Sequence, residues 1–224
     1  NEIIGDIFQY IEREKKQVGD RLPSERELAK ILNVNRATLR EALKTLNALR
    51  VIEIKHGSGV FLRNFYTESS FEALVFKLFS VSGLNKKEYM DVLEVRNIIE
   101  PPIASLAAER ASQEEIKSIQ NIINVSKEKL RENLNIYNED KFFHEAIAIA
   151  SKNFAIVKII NSIEILLSSK RQSFLSDKTR ALKSHEQHEK IFNAIKAGDK
   201  KLARKCMEEH LLDVQEALKN LLKD

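Results

Sequence analysis

The chain has 224 residues, enough to bury a core as one large domain or two modest ones. With 43% hydrophobic and 31% charged residues it has a globular balance. No apolar run approaches the roughly 18 residues needed to span a bilayer, so a membrane-spanning helix is not expected. The formal net charge of +4 is unevenly spread. Residues 1–66 hold 12 Lys+Arg against 9 Asp+Glu, and the remainder holds 25 against 24. A small basic unit joined to a neutral bulk is compatible with nucleic-acid binding. Six Gly and three Pro point to a mostly helical chain with short loops. The single cysteine, Cys206, rules out an internal disulfide and fits a reducing cytoplasm, the expected location. Cys206 reads as a small, partly buried hydrophobe in a helix. The chain starts at Asn1 rather than Met, so native residues are expected upstream. Its first stretch, NEIIGDIFQYIEREKK, is amphipathic rather than signal-like.

Residues 3–11, IIGDIFQYI, carry apolar positions at helical spacing. Ser24 precedes Glu27 by three, the pattern of a capping box, and opens a helix that should turn Leu28, Ile31 and Leu32 inward and stop near Asn33. Asn35 can cap the next helix, which runs through Leu39, Ala42, Leu43, Leu46 and Leu49. A short helix, a tight turn and a longer helix make a helix-turn-helix. Arg36, Thr38 and Arg40 gather at the start of the second helix, where a recognition helix meets base edges and phosphates. An arginine fork can pair with both acceptors of guanine or bind phosphate. Arg26, near the start of the preceding helix, could reach the flanking backbone. Val51, Ile52 and Ile54, then Val60, Phe61 and Leu62, read as two strands around His56-Gly57-Ser58-Gly59. This is the wing of a winged helix, with glycines that allow close approach to a groove.

The stretch LPSERELAKILNVNRATLREALKTLNALRVIEIKHGSGVFL closely resembles the winged helix of GntR-type bacterial transcription regulators. The resemblance implies DNA contacts by Arg26, Asn35, Arg36, Thr38, Arg40 and Gly57. Ala37 stands where some relatives carry a hydroxyl side chain, which leaves the operator sequence open.

Residues 63–70, RNFYTESS, are polar and aperiodic and read as a linker. Domains are therefore expected over residues 1–66 and 67–224. Beyond the linker, helices are predicted over 71–81, 86–110, 113–133, 136–150, 153–175, 184–197 and 199–222. Gly83, a Ser112 cap with Glu115 three residues on, and Gly198 serve as boundaries. The fold class is mainly α: a winged helix-turn-helix domain and an all-α antiparallel bundle.

Asp140 and His144, four apart, share one helix face and could hold one ion together or merely face water. His188 and His210 lie on or beside the apolar faces of other helices, so an Asp and three His could converge in a bundle core. This order resembles the FCD effector domain. The resemblance implies that Asp140, His144, His188 and His210 are metal ligands, and it favours His188 over His185. His185 is expected to be an exposed residue near the mouth of the site. Three imidazoles and a carboxylate suit zinc or nickel, with manganese and iron as alternatives. A small carboxylate effector would want a cation, and Arg96 stands at a position where the FCD family commonly has an arginine near its pocket. Arg96 could equally pair with Glu100 at i+4. Arg171 is a weaker second candidate.

A metal-dependent hydrolase or other metalloenzyme is the competing reading, but the chain has no H-E-x-x-H, nucleophile elbow or phosphate loop. An architectural DNA-binding protein with a merely dimerising bundle would leave the buried polar cluster unexplained. The sequence thus predicts no enzyme and no membrane partner. It predicts a homodimeric regulator, with repression as the expected mode, that binds double-stranded DNA at a palindromic operator and senses a small carboxylate through a metal-containing domain.

Overall fold

A computed structural model describes residues 2–78 and 84–221. The predicted end of a helix at residue 81 and its stop at Gly83 lie outside the described residues. The chain divides into two compact units between Asn85 and Lys86.

The first unit begins with α1 (Glu2–Arg13), α2 (Glu25–Ile31) and α3 (Arg36–Ala48). Both halves of the Ser24 capping box form: the Ser24 hydroxyl accepts from the Glu27 N–H, and the Glu27 carboxylate accepts from the Ser24 N–H. The turn before α3 uses Asn33 at φ 53°, a left-handed conformation that asparagine tolerates. Asn35 Oδ1 then accepts from the Thr38 N–H at 2.8 Å and caps α3. Ile7, Leu28, Leu39, Leu43, Leu46 and Ile52 are completely or almost completely buried and form the centre of this unit. Ile31, expected to face inward, is exposed instead, because α2 has only seven residues and its two buried positions are Leu28 and Ala29.

The wing is β1 (Ile52–Lys55) paired antiparallel with β2 (Gly59–Leu62), Ile52 opposite Leu62 and Lys55 opposite Gly59. Gly59 has φ +122°, a conformation that side chains rarely adopt, and a Cβ there would stand 2.5 Å from Arg21 Nε. The stretch read as a linker holds a single-turn helix, α4 (Phe65–Glu68), capped by Asn64. It is followed by α5 (Phe71–Leu78), which packs on α1 and adds Ala73 to the first core. The unit boundary therefore falls later than the division expected after residue 66.

The second unit is built of α6 (Lys86–Arg110), α7 (Gln113–Arg131), α8 (Tyr137–Ala150), α9 (Phe154–Phe174), α10 (Lys178–Lys196) and α11 (Lys200–Leu221). The helix predicted to begin at 184 starts six residues earlier, at Lys178. Asp177 accepts from the Arg180 N–H, and Ala181 is the inward apolar position of that extension. α6 packs against α11, α8, α10 and α9, which puts it at the centre of the bundle. Ile103, Phe143, Ile147, Ile191, Phe192, Met207 and Leu211 form its apolar core.

Candidate metal centre and nucleic-acid interface

α8, α10 and α11 bring His144, His188 and His210 together. All three side chains are buried, and one ring nitrogen from each lies within 4.8 Å of the others. His188 Nε2 and His210 Nε2 are 3.3 Å apart. Phe143 stacks on His188, with ring centroids 4.0 Å apart, and fixes its plane.

The outer nitrogens decide which lone pairs point inward. His210 Nδ1 lies 2.8 Å from Gln187 Oε1, a carbonyl oxygen that can only accept, so Nδ1 carries the hydrogen and Nε2 is bare. His144 Nδ1 lies 2.5 Å from Glu100 Oε2, which gives the same tautomer. His144 Nε2 is buried without a hydrogen-bond partner. Burial pushes the pKa of His144 and His210 well below the usual range, and that of His188 down to about 4. The imidazoles are neutral at pH 7, the form that binds metal. An orphaned Nε2, a second bare Nε2 and outer nitrogens tied to a carboxylate and a carboxamide fit a divalent ion.

Asp140 stands beside this triad. Its Oδ1 accepts from the Ser184 hydroxyl at 2.9 Å and lies 3.5 Å from His188 Nε2, while Oδ2 meets Arg171. Burial raises the pKa of Asp140, but Arg171 and the neighbouring groups more than offset this and hold it ionised. Its charge is thus already shared with Arg171 next to the histidines.

Arg96 is buried and pairs with Glu100, the i+4 alternative of the sequence reading. Its Nη2 stands 3.9 Å from Glu164 Oε1. Arg171 is buried too, between Glu164 and Asp140. Glu100, Arg96, Glu164, Arg171 and Asp140 form one buried chain of alternating charge. The sequence reading missed Glu164. Its signal was a lone carboxylate in the apolar run NSIEILL. It also missed Tyr89, whose buried hydroxyl has no hydrogen-bond partner and whose pKa burial pushes up to about 12. His185, expected at the surface, is buried, with its Nδ1 3.1 Å from Ser126 Oγ of α7.

In the first unit Arg26, Asn35, Arg36, Thr38 and Arg40 are all exposed around the start of α3. A groove beside the turn is lined by Arg26, Lys30, Asn33, Asn35 and Arg36. The Asn35 carbonyl is committed to the cap, which leaves its NH2 free for a phosphate or base. Arg40 is held by Glu25 of α2, whose Oε2 accepts from Nε at 3.2 Å and from Nη2 at 3.1 Å. Gly57 is exposed at the wing tip with φ 75°.

A winged helix-turn-helix with an arginine-rich recognition helix, followed by a separate helical domain, defines a DNA-binding transcription regulator. Residues 1–62 match the model of bacterial regulatory proteins of the gntR family, and residues 91–213 match the FCD domain. The chain is 32% identical to the HTH-type transcriptional regulator LutR of Bacillus subtilis over 205 residues, covering 89% of this chain and 92% of that protein. It is 31% identical to the Uxu operon regulator of Haemophilus influenzae, covering 95% and 79%. It is 32% identical to the putative L-lactate dehydrogenase operon regulatory protein of Escherichia coli, covering 100% and 88%. Among solved structures, Streptococcus agalactiae GntR aligns with a TM-score of 0.54 at 25% identity over 96% of this chain and 98% of that one. Lar of Listeria monocytogenes shares the fold, with a TM-score of 0.67 at 16% identity over 98% and 95%. The chain belongs to the GntR family of transcription regulators and carries an FCD domain. Its relatives are regulators, not enzymes, which removes the metalloenzyme reading. No helix among the described residues is long and apolar enough to cross a membrane.

Proposed function

We propose that this regulator is a homodimeric repressor that binds a palindromic operator and is controlled by a divalent metal and a small carboxylate held in its FCD domain. His144, His188 and His210 would hold the ion, with Asp140 as the fourth ligand. Zinc and nickel are the first choices, and manganese and iron the alternatives. The single observation that carries the metal reading is the convergence of buried, neutral imidazoles with His144 Nε2 orphaned at their centre. When bound, the ion supplies positive charge to which a carboxylate oxygen can coordinate.

The chain's own residues do the rest. Glu100 orients His144, Gln187 orients His210, and Phe143 holds the plane of His188. Arg96 supplies the cation for the effector. Its Nη2 and Glu164 Oε1 are both buried without a hydrogen-bond partner and form an ion pair at 3.9 Å, too long for a hydrogen bond. A group that accepts from one and donates to the other, a hydroxyl or a water, would satisfy both. That favours a hydroxy acid, in keeping with relatives named for the L-lactate dehydrogenase and galactonate operons. The second of these is named a repressor, which supports that mode here. Arg26, Asn35, Arg36, Thr38, Arg40 and Gly57 would contact operator DNA. Effector binding would favour one placement of the two DNA heads and change operator affinity by linkage.

A native mass spectrum of the gently purified protein tests this reading. The expected result is a dimer with one metal ion per chain and a co-purified small acid. A metal-free dimer that takes up none of added zinc, nickel or manganese would reject the metal and return the sensing role to Arg96 alone.

A further inference from the structure

We propose that Glu25 is a positioning residue that sets the base selectivity of Arg40. The proposal rests on the reading that Arg40 contacts DNA. A guanidinium has two edges that can grip a partner with parallel N–H bonds: the side edge of Nε and Nη2, and the end edge of Nη1 and Nη2. Glu25 Oε2 accepts from both donors of the side edge, at 3.2 and 3.1 Å. The end edge stays intact, with one hydrogen on each terminal nitrogen, which is the fork that matches O6 and N7 of guanine.

Glu25 can aim Arg40 because it is itself held. It is the first residue of α2, directly after Ser24, whose two-way capping box with Glu27 fixes the chain at that point. A carboxylate is also favoured in the first turn of a helix. Arg40 reaches it from α3, so the pair joins the two helices of the DNA-binding motif. The pair is half exposed, with side-chain exposures of 52% for Arg40 and 34% for Glu25, so it contributes little to stability. A carboxylate among DNA-facing arginines also repels phosphates. Both effects of Glu25 act in one direction: they withhold Arg40 from the nearest phosphate and present its end edge to a base.

Binding sites selected from a random duplex pool by the full chain test this. The wild type would be compared with E25Q, E25A, R40A and E41Q. Glu41 is an exposed carboxylate of the same domain paired with Lys44, so E41Q removes the same charge without touching Arg40. The expected result is that R40A, E25Q and E25A all lose preference at one shared base pair, by about fivefold or more. E41Q keeps that preference, and the melting temperature of E25Q stays at the wild-type value. If R40A loses the preference while E25Q and E25A keep it, or if E41Q loses it too, the Glu25 role is wrong and the Arg40 reading stands. If R40A leaves the selected sites unchanged, Arg40 reads no base and both fail.

Discussion

His188 and His210 face each other Nε2 to Nε2 across 3.3 Å inside the bundle, with His210 Nδ1 held by Gln187. Two neutral imidazoles in that pose can share at most one hydrogen between them. An ion can take lone pairs from both, and from His144 as well. Loading with zinc or nickel should therefore raise the melting temperature, and a chelator should reverse the gain. Glu100→Gln keeps every ligand but weakens the acceptor that orients His144. It should reduce metal affinity by about 10–100-fold, read by competition with a coloured chelator. An unchanged affinity would show that Glu100 does not orient the ligand.

The pH dependence of the metal-free protein follows from the same burial. His188 titrates near 6.5 when free and near 4 in the fold. Between those values only the unfolded chain binds the proton, so stability is fully present above 6.5 and is lost as pH falls toward 4. Each such histidine removes about 1.4 kcal/mol per pH unit over its window. His144 and His210 are shifted the same way, so both steepen the loss of stability as pH falls below 6.5. Urea titrations of the chelator-treated protein at pH 7, 6 and 5 check this. His188→Gln should flatten the slope.

The parts of this architecture that were legible in the chain are local ones. Ser24 with Glu27, and Ser112 with Glu115, announce helix starts three residues apart, and both capping boxes form. Asp140 and His144 are visible as a pair because one helix turn sets their spacing. The partners that tune the site are far apart in sequence. Glu100 and His144 are separated by 44 residues, and His210 and Gln187 by 23. Which helix faces which is decided by packing of whole apolar stripes, and periodicity within one helix does not encode it. The same reason misplaced His185: α10 turns it against Ser126 of α7, a contact its own helix cannot foretell.

Arg171 and Asp140 form a buried ion pair beside the histidines, with Asp140 Oδ1 3.5 Å from His188 Nε2. Arg171→Met would strip the arginine partner from Asp140 and leave Glu164 only the longer pair with Arg96, while keeping most of the side-chain volume. Breaking a buried pair from one side costs about 3–5 kcal/mol, because the remaining charge has no solvent. The expected outcome is a loss of that size in the metal-free protein. Part of it should be recovered on adding metal, since the ion would give Asp140 a new counter-charge. A destabilisation that metal leaves untouched would argue that Asp140 does not reach the ion.

Arg36 opens α3 as an exposed cation beside the groove lined by Arg26 and Lys30. Its substitution by alanine separates two roles. If it binds phosphate, Arg36→Ala should weaken selected and random duplexes alike and lower the slope of log affinity against log salt by about 1. If it reads a base edge, affinity for the selected site should fall by about 1–3 kcal/mol, while random duplex binding changes far less. The position at the helix start, with Asn35 capping the N–H of Thr38 next to it, favours the phosphate outcome. The positive end of the helix and the guanidinium there act on the same anion. Fluorescence anisotropy at four salt concentrations, with both duplexes, distinguishes the two roles. Wild-type affinity on both duplexes would remove Arg36 from the interface.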